Sequence, residues 1–218
     1  MFRGVIFDMD GVLVDNSKVH VDAFVEWCRI HNVDFAPGQI RGLFGMGNDD
    51  IFKEILTDPT LSDETIRCYA DEKEEIYRKL FASTITPVPG LVDLLKGLKE
   101  KGIKIAVGSS GMRANVEFVL DKCGISQYFD AIADGDMITR AKPDPEVFLL
   151  AAKLLGLAPS DCLVLEDSFA GVEAARRAGM KVVVLATTYS QSEHKDYDLI
   201  IDDFTQVDVQ SLLNLKTK

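Results

Sequence analysis

No apolar run in these 218 residues is long enough to span a membrane, because carboxylates interrupt each one early. Met1-Phe-Arg leads into an apolar strand pattern rather than a charged signal segment, so nothing addresses the chain outside the cell. Basic residues are also scarce. Lys and Arg total 24 against 35 Asp and Glu, a net charge of −11, which argues against a nucleic-acid partner or an anionic membrane surface. A small phosphorylated substrate is still allowed, since a local cation can reverse the field inside one cleft. Cysteine is limited to Cys28, Cys68, Cys123 and Cys162, far apart and without a C-x-x-C pair. That spacing argues against a cysteine-built zinc site and points to small buried hydrophobes in a reducing cytoplasm. There is no internal repeat, no low-complexity tract and no heptad seam, so a monomer is expected.

What is present begins at the N-terminus. Val5-Ile6-Phe7 is a short apolar run that stops abruptly at Asp8-Met9-Asp10-Gly11. Such a run suits a strand buried on both faces, with Asp8 and Asp10 at its carboxyl end, where open α/β sheets build their sites. Gly11 supplies the freedom for the turn that lets both carboxylates share one site. Taken alone, an Asp-x-Asp is as readily a solvated strand end with a helix cap.

Between residues 17 and 82 the pattern is helical throughout. Val21, Phe24, Val25 and Cys28 share one face of a helix from Ser17 to His31. Pro37-Gly38 and Gly42, Gly45 and Gly47 interrupt the chain before a helix at 50–56, Asp58-Pro59 is a turn, and Ser62 starts a long polar helix to Phe81. Thr84 to Pro89 reads as an extended connector. Beyond it helices and strands alternate: strands at 103–107, 131–133, 162–165, 182–185 and 199–201, with helices at 91–101, 113–123, 144–155, 168–178 and 207–214. Asp144 is expected as an N-cap with Pro145 in the first turn. Strands separated by helices of this length imply a parallel sheet with right-handed crossovers. The expected fold is therefore α/β: a Rossmann-like core of 1–15 and 86–218, interrupted by an all-helical cap, 16–85, inserted after the first strand. Both connections lie beside Asp8, which makes the insert a lid.

Four features fall at, or just beyond, carboxyl ends of strands: Asp8/Asp10, Ser109, Lys142 and Glu166-Asp167. Each has an ordinary explanation by itself, as helix caps or a surface lysine. Together they form a phosphoryl-transfer apparatus. A phosphate dianion repels a carboxylate nucleophile, and magnesium held by oxygen ligands such as Asp8, Asp167 and a backbone carbonyl removes that repulsion. Asp8 can then attack in line, and Asp10 can protonate the leaving oxygen and later deprotonate water. Lys142, the Ser109 hydroxyl and backbone N–H groups at Met9 and in Ser110-Gly111 can stabilise the equatorial oxygens.

The segments Asp8-Met-Asp10-Gly11-Val-Leu-Val-Asp15, Val107-Gly-Ser109-Ser110, Lys142-Pro143-Asp144-Pro145 and Leu165-Glu166-Asp167-Ser168-Phe-Ala-Gly171 stand in an order and spacing that resembles the haloacid dehalogenase superfamily, in its β-phosphoglucomutase-like subgroup. The resemblance covers the whole chain. It implies Asp8 as nucleophile, Asp10 as acid/base, Ser109 and Lys142 as phosphate ligands, and magnesium held by Asp8, the Asp10 carbonyl and Asp167, with Glu166 near its water shell. It also implies a substrate contact at His20. Where those mutases carry an arginine after a Gly-x-Ser segment, this chain reads Gly47-Asn48, and after Ser109-Ser110 it reads Gly111-Met112-Arg113. These departures weigh against a mutase and leave the hydrolytic core intact. The leading expectation is a magnesium-dependent phosphohydrolase acting on a small phosphorylated metabolite, most simply a sugar phosphate, through an aspartyl-phosphate. A β-phosphoglucomutase-type mutase is the alternative, and a non-catalytic phospho-acceptor domain a third.

Overall fold

The structure, a computed structural model, describes residues 1–34, 38, 48–58 and 60–215. Six strands, β1 (Gly4–Phe7), β2 (Lys104–Gly108), β3 (Ala131–Ala133), β4 (Cys162–Glu166), β5 (Lys181–Leu185) and β6 (Leu199–Ile201), form one sheet in the order β3-β2-β1-β4-β5-β6. Every pairing is parallel. β1 lies in the interior of the sheet because its run is apolar on both faces: Val5 and Phe7 enter one core and Ile6 the other.

Helices cover both faces. On one side α4 (Leu91–Glu100), α5 (Arg113–Cys123) and α8 (Val209–Leu213) pack on Val5, Phe7, Ile105 and Leu163. On the other, α6 (Glu146–Leu155) and α7 (Phe169–Arg177) pack on Ile6, Ala106, Val164 and Val182. Three further helices, α1 (Ser17–His31), α2 (Asn48–Leu56) and α3 (Asp63–Phe81), enclose a separate apolar cluster of Phe24, Trp27, Phe52, Ile66 and Ala70. Val14 bridges Pro87, and the Val88 N–H donates to the Leu13 carbonyl at 2.9 Å, so the two chain crossings into this helical unit run side by side. Among the described residues, no helix is long and apolar enough to cross a membrane.

Local differences from the sequence reading have plain causes. α2 begins at Asn48 rather than residue 50. Pro145 is the N-cap residue of α6 rather than part of its first turn, although the Asp144 carboxylate still accepts from the Glu146 N–H. Of the cysteines expected to be buried, Cys28 and Cys162 are, Cys123 is half-buried and Cys68 is exposed. Cys68 lies two residues from Ile66 on α3, which turns it about 200° away from the apolar stripe. Gly47, with Pro37, Gly42, Gly45 and Pro59, lies outside the described residues.

Candidate active site

The carboxyl ends of β1, β2 and β4 and the loop after β3 converge on one cleft. Asp8, Asp10, Gly11, Ser109, Ser110, Gly111, Lys142 and Asp167 line it from the sheet side, and His20 and Asn48 from the helical unit. Met9 differs from its expected neighbours: it is fully buried in the core and does not line the cleft.

The loop after β1 is shaped by Gly11, at φ +72°. A Cβ there would lie 2.0 Å from Asp167 Oδ2, so only glycine lets the two strand ends approach. In the first turn of α7 a second glycine does the same for Glu166 at the end of β4: a Cβ on Gly171 would fall 1.6 Å from Glu166 Oε1. Glu166 Oε2 accepts from the Asp167 and Ser168 N–H groups, both at 2.7 Å, and from the Ser168 hydroxyl at 3.0 Å. Its Oε1 accepts from Lys142 Nζ at 2.7 Å. Both Glu166 oxygens are thus engaged, and the side chain works as an anchor for Lys142 and for the start of α7.

Lys142 Nζ also donates to Asp8 Oδ1 at 2.7 Å and lies 4.7 Å from the centre of the Phe148 ring. Asp8, Glu166, Asp167 and Lys142 are all buried. Burial raises the Asp8 carboxyl, the Lys142 charge pulls it down and Glu166 and Asp10 push it up again, leaving it near 7. Burial and the charges of Glu166 and Asp8 hold Asp167 well above the usual carboxylate range. For Lys142 burial acts downward, but the charges of Asp8 and Glu166 prevail and keep it firmly protonated. Three buried carboxyl groups against one ammonium leave a surplus of two acidic groups without a counter-charge. One ligand atom from each of Asp8, Glu166 and Asp167 lies within 4.8 Å of the others. An all-oxygen donor set with that surplus fits a hard divalent cation.

Asp10 occupies a more open position. Asn16 Nδ2 donates to its Oδ1 at 2.6 Å, and His20 Nε2 lies 3.3 Å from the same oxygen. Burial acts to raise Asp10, but His20 and the hydrogen bonds from His20 and Asn16 outweigh it and the carboxyl is lowered. His20 stacks flat on Tyr77 at 4.1 Å between ring centres. Ser109 Oγ accepts from the Gly111 N–H at 3.0 Å. The Ser110 hydroxyl, in contrast, is buried against the cleft without a hydrogen-bond partner among the described residues, as a group awaiting a ligand would be.

The chain matches the model of the haloacid dehalogenase-like hydrolases over residues 2–179. The chain belongs to that family. It is 33% identical to the β-phosphoglucomutase of Bacillus subtilis over 83% of this chain and 82% of that one. It is 31% identical to the fructose-1-phosphate phosphatase YqaB of Escherichia coli over 84% and 95%. It is 35% identical over 96% of its length to Protein SUPPRESSOR OF QUENCHING 1 of Arabidopsis thaliana, of whose length it spans only 20%. Among solved structures, a β-phosphoglucomutase from Clostridium difficile superposes with a TM-score of 0.87 at 30% identity, covering 99% and 97% of the two chains. This family membership makes the chain a hydrolase-type enzyme and sets aside the non-catalytic phospho-acceptor reading.

Several cleft residues escaped the sequence reading: Asn16, Lys73, Glu74, Asn115 and Thr188. A signal existed for two of them. Ile66, Ala70, Tyr77 and Phe81 form the buried stripe of α3, and Lys73 and Glu74 fill the one turn where that stripe lacks an apolar residue. In sequence they sit within Asp71-Glu-Lys-Glu-Glu75, which reads as a solvated face.

Proposed function

We propose that this chain is a magnesium-dependent phosphatase of small sugar phosphates, working through an aspartyl-phosphate on Asp8. The observation that carries the reading is the meeting of Asp8, Asp167, Lys142 and Ser109 around one cleft. Asp8 attacks phosphorus with its free carboxylate oxygen while Lys142 holds the other. Asp10, a neighbour of the nucleophile, gives its proton to the departing sugar oxygen. It then removes a proton from the water that hydrolyses the acyl-phosphate. Asn16 and His20 fix the Asp10 carboxylate for both steps. Lys142, the Ser109 hydroxyl and the unpartnered Ser110 hydroxyl take up charge on the phosphoryl oxygens. Asp8 and Asp167, with the Asp10 carbonyl, would hold magnesium, which when bound offsets the repulsion between the phosphate dianion and the nucleophile.

The helical unit, 16–85, is the proposed lid over this core of 1–15 and 86–218. It contributes His20 and Asn48 to the same cleft, and the names of the phosphatase and mutase relatives support a phosphorylated sugar as the occupant. The mutase alternative is favoured by the His20–Asp10 contact and disfavoured by Asn48, an uncharged side chain bound to Glu74. Phosphate release from a panel of sugar phosphates, including fructose 1-phosphate, tests the proposal. Turnover should require magnesium, stop with EDTA and vanish in Asp8→Asn. A folded Asp8→Asn that keeps most of its turnover sinks it. Conversion of β-glucose 1-phosphate to glucose 6-phosphate without free phosphate would favour the mutase.

A further inference from the structure

Lys73 and Glu74 are adjacent on α3 and both almost fully buried, at 1% and 2% exposure, yet both face the cleft. Lys73 Nζ is 2.7 Å from Glu74 Oε1, 2.9 Å from His20 Nδ1 and 3.5 Å from Asn48 Oδ1, and it lies 4.4 Å from the centre of the Phe24 ring. Every donor of the ammonium is therefore directed at a protein group. Glu74 is held equally firmly. Asn48 Nδ2 donates to its Oε1 at 2.6 Å, and Asn115 Nδ2, from α5 of the core, donates to its Oε2. Arg78 Nη1 fixes the other side of Asn115 at 2.6 Å. Although burial acts to raise it, the charges of Lys73 and His20 hold the Glu74 carboxyl near 2, so it is an anion at any working pH.

Among the described residues, the end of the cleft built by α1 and α3 thus carries the Lys73 ammonium cancelled by the Glu74 carboxylate. A neutral polyol meets amide, imidazole and ammonium groups there and loses nothing. A second phosphate meets the Glu74 carboxylate and finds the Lys73 ammonium already paired. Like charges brought together in a desolvated site are the usual device for rejecting a competing ligand.

Resting on the phosphatase reading above, we infer that the Lys73–Glu74 pair is a charge filter. It selects monophosphates whose remaining portion is neutral and polyhydroxylated, and rejects bisphosphates and phosphates of acidic metabolites. Glu74 acts through Lys73 and is a positioning residue, not a catalytic one.

The test compares kcat/KM for fructose 1-phosphate and fructose 1,6-bisphosphate at saturating magnesium. The wild-type enzyme should favour the monophosphate by about tenfold or more. In Glu74→Gln the pair is broken and Lys73 becomes available. The ratio should then collapse by about tenfold, chiefly through a lower KM for the bisphosphate. A purely structural role for Glu74 would depress both substrates alike and leave the ratio unchanged. Equal use of the two sugars by the wild-type enzyme, or preference for the bisphosphate, overturns the inference and leaves the phosphatase reading standing. So does a folded Glu74→Gln with an unaltered ratio. Where Glu74→Gln does not fold, the wild-type ratio decides alone. No phosphate from either sugar, nor from the wider panel, overturns the phosphatase reading and this inference with it.

Discussion

Lys142 Nζ rests 2.7 Å from Asp8 Oδ1 across 134 residues of sequence, and the same nitrogen is tied to Glu166 at equal distance. That single ammonium is what allows three carboxylates to stay buried together. Lys142→Ala should therefore cost activity and stability at once. Turnover should fall about 10²–10³-fold, the range for losing one preorganised charge donor. The melting temperature should fall as well, because removing one partner strands buried charge. Kinetics and calorimetry on the same preparation check both. A variant that loses activity with an unchanged melting temperature would show that the lysine does not hold the carboxylates together.

Magnesium should itself stabilise the protein. A ligand at a hundredfold excess over its dissociation constant adds about 2.7 kcal/mol to the folded state. The melting temperature of the wild-type chain should rise with magnesium and return with EDTA, and Asp167→Asn should show little of this shift. An equal rise in Asp167→Asn would move the metal away from the Asp8–Asp167 pair.

Gly171→Ala offers a test of packing rather than chemistry. Its new methyl group would meet the Glu166 carboxylate, which cannot retreat without giving up the Asp167 and Ser168 N–H groups. A loss of about 2–4 kcal/mol in denaturant unfolding is expected, the range for overpacking combined with a broken buried network. Activity should drop too, since Lys142 loses one of its two anchors. Wild-type stability in Gly171→Ala would mean that the start of α7 yields easily.

Glu74 gives the clearest pH dependence. Its carboxyl is lowered from 4.5 in the unfolded chain to about 2 in the folded one. A depressed acid stabilises the fold fully above its unfolded value and loses that contribution as the pH falls towards its folded one. The amount is about 3 kcal/mol for a shift of that size. The stability gap between wild type and Glu74→Gln should hold above pH 5 and narrow steadily between pH 4.5 and pH 2. A gap that stays constant over that range would mean that Glu74 does not feel Lys73.

The sheet side of the site was legible in the sequence because its parts are short strand ends with little freedom: once the strands are parallel, Asp8, Ser109 and Asp167 share a rim. The helical side was not. Lys73 reaches the cleft only because α3 turns it inward, and that phase depends on packing against Phe24 of α1, from a different part of the chain. Asn115 needed α5 to meet α3, a contact that no local pattern encodes. Cys68 misled for the related reason that a helical pattern does not say which face is wet.

The interior place of β1 in the sheet has a consequence for how the molecule is made. Gly4 pairs with Lys104 on one side and with Cys162 on the other, 100 and 158 residues further along. At about 10 residues per second, a nascent chain holds Val5-Ile6-Phe7 without a partner for about 10 s after leaving the ribosome. A strand made before both of its neighbours is among the last to be paired on both edges, so native contacts cannot shelter its apolar side chains meanwhile.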